Sequence, residues 1–85
     1  MDIQMQPNST IPNELPNGAT VLQAHIVDET TAVVLCYWEQ DKSIVTWIMR
    51  RDDAATFHGH YFQIRSGRAV TQAADDFAER VARYR

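Results

Sequence analysis

The 85-residue sequence is poor in several residue types that mark particular protein classes. It has one cysteine, so it cannot form an internal disulfide, and nothing in it requires an oxidising compartment. Its three glycines, at positions 18, 59 and 67, do not form a phosphate-binding loop. The apolar run 32–38 reaches only about a third of the length that a bilayer requires. These absences leave a single small globular domain as the expected class.

Basic residues are also scarce, and the net charge is −3. A partner that is recognised through its phosphates needs a basic footprint, so the composition argues against nucleic acid. The first residues are acidic and polar, whereas a signal peptide has a basic start and an apolar core. We therefore expect a cytoplasmic protein that has no membrane partner.

The chain divides into an arm and one folded domain. Residues 1–18 contain all three prolines and predict an extended N-terminal arm with the scattered apolar anchors Ile3, Met5, Ile11 and Leu15. Residues 19–85 form the domain. It opens with four segments rich in β-branched and aromatic residues, at 20–28, 31–39, 43–51 and 54–63. The polar connections between them are short, which favours antiparallel neighbours.

A change of hydrophobic period marks the C-terminal segment. Apolar residues recur there at helical spacing, at Val70, Ala74, Phe77, Val81 and Tyr84. Asp76 with Arg80 and Glu79 with Arg83 are expected i,i+4 ion pairs. The predicted fold class is α+β: a four-stranded antiparallel β-meander with one C-terminal amphipathic helix packed on one face (ββββα).

Strand alternation assigns the side chains to two faces of the sheet if each hairpin loop has an even number of residues. The expected cross-strand pairs are then His25 with Val34, Cys36 with Trp47, Trp38 with Val45, and Trp47 with His58. The face beneath the helix is then expected to carry Leu22, Ala24, Ile26, Val33, Leu35, Tyr37, Ile44, Ile48, Phe57, Gly59 and Tyr61. The opposite face is expected to carry Gln23, His25, Val27, Val34, Cys36, Trp38, Val45, Trp47, Met49, Thr56, His58, His60 and Phe62. The second face is too apolar to stay bare on a soluble monomer, because its two tryptophans alone approach the ~300–600 Å² of the largest patch on a typical monomer.

Three candidates could bury that face: the N-terminal arm, a second copy of the chain, or a partner protein. The predicted partner-binding residues are Trp38, Trp47, Met49, His58, His60 and Phe62 on the sheet, with Glu29, Asp41, Asp52 and Asp53 in the loops. The sequence therefore predicts a non-catalytic protein-interaction module. The alternatives are a structural homodimer of unknown role and a small metal-binding enzyme.

The sequence contains few residues whose spacing is typical of a catalytic site. His58 and His60 have the spacing that places both imidazoles on one side of a strand, but zinc needs three or four ligands and His25 is a distant third. Cys36 could form a thiol–imidazole pair, although a buried small hydrophobe accounts for it better. We therefore expect no catalytic residue, metal ligand or cofactor.

Four parts of the sequence together resemble a pattern in short uncharacterised bacterial and phage proteins: Trp47, Gly59-His60-Tyr61-Phe62, Asp76-Phe77 and Arg80. In those proteins a strand with a Trp precedes a Gly-His-Tyr-Phe strand and an Asp-Phe-x-x-Arg helix. The resemblance covers about residues 43–81, and the stretch between Phe62 and Ala73 is longer than in that pattern. It implies a phage or plasmid setting, with the host cytoplasm as location. One hypothesis is an inhibitor of a host defence complex, such as an anti-CRISPR protein, whose acidic loops occupy basic grooves.

Overall fold

Four strands and one long helix succeed each other in the computed structural model, which describes residues 11–84. Their bounds are β1 Thr20–Ile26, β2 Thr31–Trp38, β3 Ser43–Arg50, β4 Thr56–Gln63 and α1 Ala69–Arg83, with a 3₁₀ turn at Ile64–Ser66 before the helix. The sheet is antiparallel in the order β1-β2-β3-β4. The predicted α+β meander with one C-terminal helix is confirmed. The predicted anchors Ile3 and Met5 lie outside the described residues.

Helix α1 covers one side of the sheet, which we call the helix face. Ala69 and Ala73 pack there against Ile44. The predicted apolar stripe of the helix is displaced by about one position, since Val70 is 72% exposed and only Phe77 of that stripe is buried. Ala69 and Ala73 face the sheet because their small side chains allow the helix to approach the sheet closely. The larger side chain of Val70 points to solvent instead.

The opposite side, the helix-free face, is covered by residues 11–19. Leu15 is 3% exposed and packs into a cluster that includes Val34, Val45 and Trp47. The segment is held by backbone hydrogen bonds, of which Leu15 N–H to Ala19 O and Val21 N–H to Asn13 O are both 2.8 Å long. Of the three covers considered for this face, the structure shows the segment that precedes β1.

The turn of the β2–β3 hairpin is centred one residue earlier than predicted, but the assignment of faces survives. Cys36 pairs with Val45 instead of Trp47, because Trp38 pairs with Ser43 and the four residues 39–42 connect the strands. A shift by two residues leaves every side chain on its expected side. Trp38, Trp47 and Cys36 therefore lie on the helix-free face, as predicted.

In the outer strands β1 and β4, several side chains lie on the face opposite to the predicted one. His25 pairs with Val33 rather than Val34, which moves Gln23 and His25 to the helix face and Ala24 and Ile26 to the helix-free face. A shift by one residue reverses the side to which each side chain points. Sequence patterning missed this shift because it depends on an odd number of loop residues between β1 and β2. A separate irregularity at Leu22, between Val21 and Gln23, shifts the pairing by one more residue.

Strand β4 contains a second irregularity, beside Trp47. His60 pairs with Thr46 and Phe57 with Ile48, so one extra residue of β4 lies opposite β3 between these pairs. His58 has a positive φ of 56° at this point. As a result His60 and Phe62 lie on the helix face, contrary to the prediction, and Gly59 and Tyr61 lie on the helix-free face.

Candidate functional site

Three rings form an aromatic cluster on the helix-free face: Trp38, Trp47 and Tyr61. The ring centroids of the two tryptophans are 5.5 Å apart at an angle of 70°. Tyr61 lies 6.1 Å from Trp38 and 6.0 Å from Trp47, to which it is perpendicular. Edge-to-face contacts of this kind are favoured between aromatic rings. Trp47 is 3% exposed whereas Tyr61 is 50% exposed, so the cluster presents one ring to solvent on a buried support.

Gly59 makes room for this arrangement. A Cβ atom at this position would lie 2.6 Å from Trp47 Nε1 and 2.8 Å from the Tyr61 ring, closer than packed atoms approach. Any other residue would therefore displace one of the two rings. The sequence pattern that could have indicated this packing is a glycine two residues before a tyrosine in the last strand of the sheet. The packing was missed because the predicted register placed both residues beneath the helix.

Two of the predicted contact residues are inaccessible behind this cluster. Trp47 is 3% and Met49 1% exposed, since residues 11–19 cover the middle of the face. Trp38 is partly buried, and its indole Nε1 donates a hydrogen bond of 3.1 Å to Asn17 O. A partner could contact Trp47 or Met49 only if that segment left its place. Of the cluster, Tyr61 offers the largest exposed fraction.

The acidic candidates lie at opposite ends of the sheet. Glu29, Asp52 and Asp53 share one end, because the first and third hairpin turns of a meander lie on the same side. Arg51 joins these turns, since its Nη1 donates to Asp28 O at 2.7 Å. Asp41 lies in the middle turn, at the other end.

Three of these carboxylates have structural partners. Asp53 is paired with Arg50, with an Nη2–Oδ2 distance of 2.7 Å, and this hydrogen bond holds the pKa of Asp53 well below its usual range. Asp41 accepts hydrogen bonds from the Ser43 hydroxyl and from the Gln63 amide. Asp52 lies 3.4 Å from Arg50 Nε, but its side chain retains 81% of its accessible surface, and Glu29 is also exposed. These two are the acidic candidates best placed to meet a partner.

A polar network connects α1 to the helix face. Asp76 accepts a hydrogen bond from the Thr46 hydroxyl and lies 3.0 Å from His60 Nδ1 and 3.5 Å from Arg80 Nε. Desolvation raises the pKa of Asp76, but the hydrogen bonds of Thr46 and His60 and the charges of His60 and Arg80 outweigh it and lower the pKa. The expected ion pairs Asp76–Arg80 and Glu79–Arg83 are both confirmed, the second at 3.9 Å.

Arg80 is the charged centre of this network. Its side chain is 5% exposed, its Nη2 donates to His58 O, and its Nε lies 3.2 Å from His60 Nδ1. Its Nη1 is buried and has no hydrogen-bond partner among residues 11–84. Burial lowers the pKa of the Arg80 guanidinium. From the sequence, Arg80 is expected only to form an ion pair along the helix, because burial of a charged residue depends on partners from distant strands.

A cavity of about 310 Å³ lies beside this guanidinium, and we call it the Arg80 cavity. Its lining residues come from β3, β4 and the C-terminal end of α1: Ile48, His58, His60, Arg80, Arg83 and Tyr84. Both histidines that the sequence pairs as possible metal ligands therefore border one space. No group of three or more His, Cys, Asp or Glu residues placed to hold a metal ion occurs within residues 11–84.

Cys36 is buried within the sheet. It has no exposed surface, and burial raises the pKa of its thiol to about 12. Its cross-strand neighbour is Val45, so its surroundings are apolar, and the expectation of a buried small hydrophobe is confirmed. In the part of the chain that the structure describes, no helix is long and apolar enough to cross a membrane.

Comparison with known proteins yields no matching family model, no similar curated protein and no similar solved structure. The resemblance of residues 43–81 to short bacterial and phage proteins therefore stays a prediction. What the chain does has to follow from its own geometry and charge.

Proposed function

We propose that this chain is a non-catalytic protein-binding module whose contact surface is the β4 margin of the helix-free face. Tyr61 carries the proposal because half of it is exposed while its ring is held against Trp38 and Trp47. Tyrosine and tryptophan are frequent anchors of protein interfaces. A ring that is already fixed loses little conformational entropy when a partner binds.

The position of Tyr61 in the sheet supports the same surface. β4 ends the strand order, so its outer edge has no strand partner among residues 11–84. An open edge offers backbone N–H and C=O groups that can pair with an extended segment of another protein. A partner at this margin could combine backbone pairing with contact to the Tyr61 ring.

Charge supports a basic partner. Glu29 and Asp52 are exposed at one end of the sheet, and the chain carries a net charge of −3. Acidic side chains accelerate association with a basic surface and orient the encounter. In the narrower form of the proposal, the partner is the nucleic-acid-binding groove of a host defence complex in the host cytoplasm, as for an anti-CRISPR protein. This form also draws on the resemblance of residues 43–81.

The test compares Tyr61→Ala with Phe57→Ala in affinity capture from the host. Phe57 is 44% exposed on the same strand but lies on the helix face, so the two variants remove similar rings from opposite sides. We expect Tyr61→Ala to weaken capture of the partner by about 30-fold, the effect of a 2 kcal/mol hot spot, and Phe57→Ala to leave it unchanged. Circular dichroism establishes that both variants are folded.

Two outcomes would contradict the proposal. Equal loss of binding in both variants would show that the effect is not confined to the helix-free face. Recovery of the chain alone, with light scattering showing a dimer, would favour the structural homodimer. Replacement of Glu29 and Asp52 by lysine should lower the association rate if the partner is basic, and an unchanged rate would exclude the acidic end from binding.

A further inference from the structure

We propose that the Arg80 cavity binds a tetrahedral oxyanion of the phosphate or sulfate type. The cavity lies on the helix face, on the other side of the sheet from Tyr61. The proposed ligand and the proposed protein partner therefore meet different surfaces. Failure of one proposal leaves the other standing.

The unpartnered guanidinium nitrogen is the first observation that points to a ligand. The Arg80 side chain is 95% buried, and its Nη1 has no hydrogen-bond partner in the described chain, although its Nε and Nη2 are both engaged. Nearly all buried polar groups of folded proteins are paired, and a buried charged donor left unpaired is costly. An oxyanion at Nη1 would remove that cost. Nη1 is shielded from solvent, so binding of the ion requires a shift of the side chains around it.

The charge of the lining is the second observation. The described lining contains two arginines, two histidines, a tyrosine and an isoleucine, and no acidic residue. The two nearest acids on α1 are already engaged, Asp76 with the Nε side of Arg80 and Glu79 with Arg83. Burial lowers the pKa of Arg80, so its charge lacks full compensation by its neighbours. An anion would supply the missing compensation.

The end of helix α1 opposes an anion through its dipole, but only weakly here. The N–H of Tyr84 donates to the carbonyls of Arg80 and Val81, at 3.2 Å each, and so satisfies two of the last acceptors of the helix. The positive side chains of Arg80 and Arg83 lie at the same end. Their full charges exceed the partial charge of the helix terminus.

The arrangement of the donors favours a tetrahedral ion over a planar one. Arg80, Arg83 and Tyr84 come from α1, whereas His58 and His60 come from β4. A carboxylate is matched by the parallel N–H groups of one guanidinium. Polar side chains supplied by two elements suit the oxygens of phosphate or sulfate, which point in several directions.

The experiment is an NMR titration of the full ¹⁵N-labelled chain with sodium phosphate and with sodium sulfate, each against sodium chloride at equal ionic strength. We expect saturable shifts at the amides of His58, Arg80, Arg83 and Tyr84 with both oxyanions, and weaker binding of acetate. Arg83→Gln should weaken phosphate binding by about tenfold, because it removes a charged hydrogen-bond donor. Arg65→Gln is the matched control, since Arg65 is exposed and lies outside the cavity.

Several results would overturn the proposal. These are the absence of saturable shifts at the cavity, equal weakening by Arg83→Gln and Arg65→Gln, and acetate binding as tight as that of phosphate. Arg80→Gln should abolish binding, but it also removes the contact of α1 with His58 O and is expected to destabilise the fold. Arg83→Gln and Arg65→Gln are therefore the deciding pair.

Discussion

Replacing Leu15 with alanine tests whether residues 11–19 form part of the core. Leu15 is 3% exposed and packs in the same cluster as Trp47. The substitution removes three carbon atoms, which corresponds to about 2–2.5 kcal/mol of transfer free energy at ~0.8 kcal/mol each. The cavity left behind adds to this, although a segment near the chain start can partly close it. We expect a loss of about 2–3 kcal/mol in the free energy of unfolding.

A loss of that size is large for this chain. A domain of 85 residues has a total stability of roughly 4–13 kcal/mol. The melting temperature should fall by roughly 10–20 °C, at about 4–8 °C for each kcal/mol. Urea denaturation followed by tryptophan fluorescence measures the change. It should also show a red shift of native emission, since Trp38 and Trp47 are the two tryptophans of the chain and lie beneath this segment.

Leu22→Ala is the matched control, because it deletes the same atoms from a side chain that is 55% exposed. It should cost less than about 1 kcal/mol and leave the emission maximum in place. Equal destabilisation by the two variants would refute the reasoning. So would a Leu15→Ala protein with unchanged fluorescence, because the indoles would then be covered by something other than this segment.

Three further predictions concern single side chains. Gly59→Ala should cost about 1–3 kcal/mol of stability in urea denaturation, since its Cβ would overlap Trp47 and Tyr61. Asp76→Asn should cost about 2–3 kcal/mol at pH 7, because it leaves buried Arg80 without its carboxylate. The lowered pKa of Asp76 contributes its full stabilisation to the wild type at pH values above the pKa of Asp in the unfolded chain, near 3.9. This contribution is lost as the pH falls through the pKa of Asp76 in the folded state. The difference in free energy of unfolding between the two proteins should therefore narrow in acid. The Cys36 thiol, with a pKa raised to about 12, should resist alkylation at pH 8 until urea unfolds the chain.

Each of these has a result that contradicts it. A Gly59→Ala protein as stable as the wild type would mean that the rings are not tightly packed against β4. A constant difference between Asp76→Asn and wild type from pH 7 to pH 2 would show that Asp76 is not ionised preferentially in the folded state. Rapid alkylation of native Cys36 would show that β2 opens readily.

The fold was predictable because its determinants are local. Four segments rich in β-branched and aromatic residues, separated by short polar turns, specify a meander whatever its register. The side of the sheet that carries Trp38 and Trp47 was also predictable, since an error of two residues in the pairing of β2 with β3 preserves the alternation.

The outer strands and the candidate sites were not predictable, because their determinants are distant in sequence. The extra residue in β4 fits the packing of Trp47 against Gly59, which no pattern within β4 reveals. The displacement of the apolar stripe of the helix also depends on contacts with the sheet. Arg80 is buried because His58 O accepts a hydrogen bond from its guanidinium and Asp76 forms an ion pair with it. Tyr61, Arg80 and their surroundings therefore required the three-dimensional structure.

The order of the sheet has a consequence for how quickly the chain finds its native state. Each strand pairs only with the strand that precedes or follows it in sequence, so the loops that must close are short and their entropic cost is small. Such a low contact order is typical of rapid two-state folding. The β2–β3 hairpin, which is the most deeply buried, is the natural nucleus, and residues 11–19 and α1 would then condense onto its two sides.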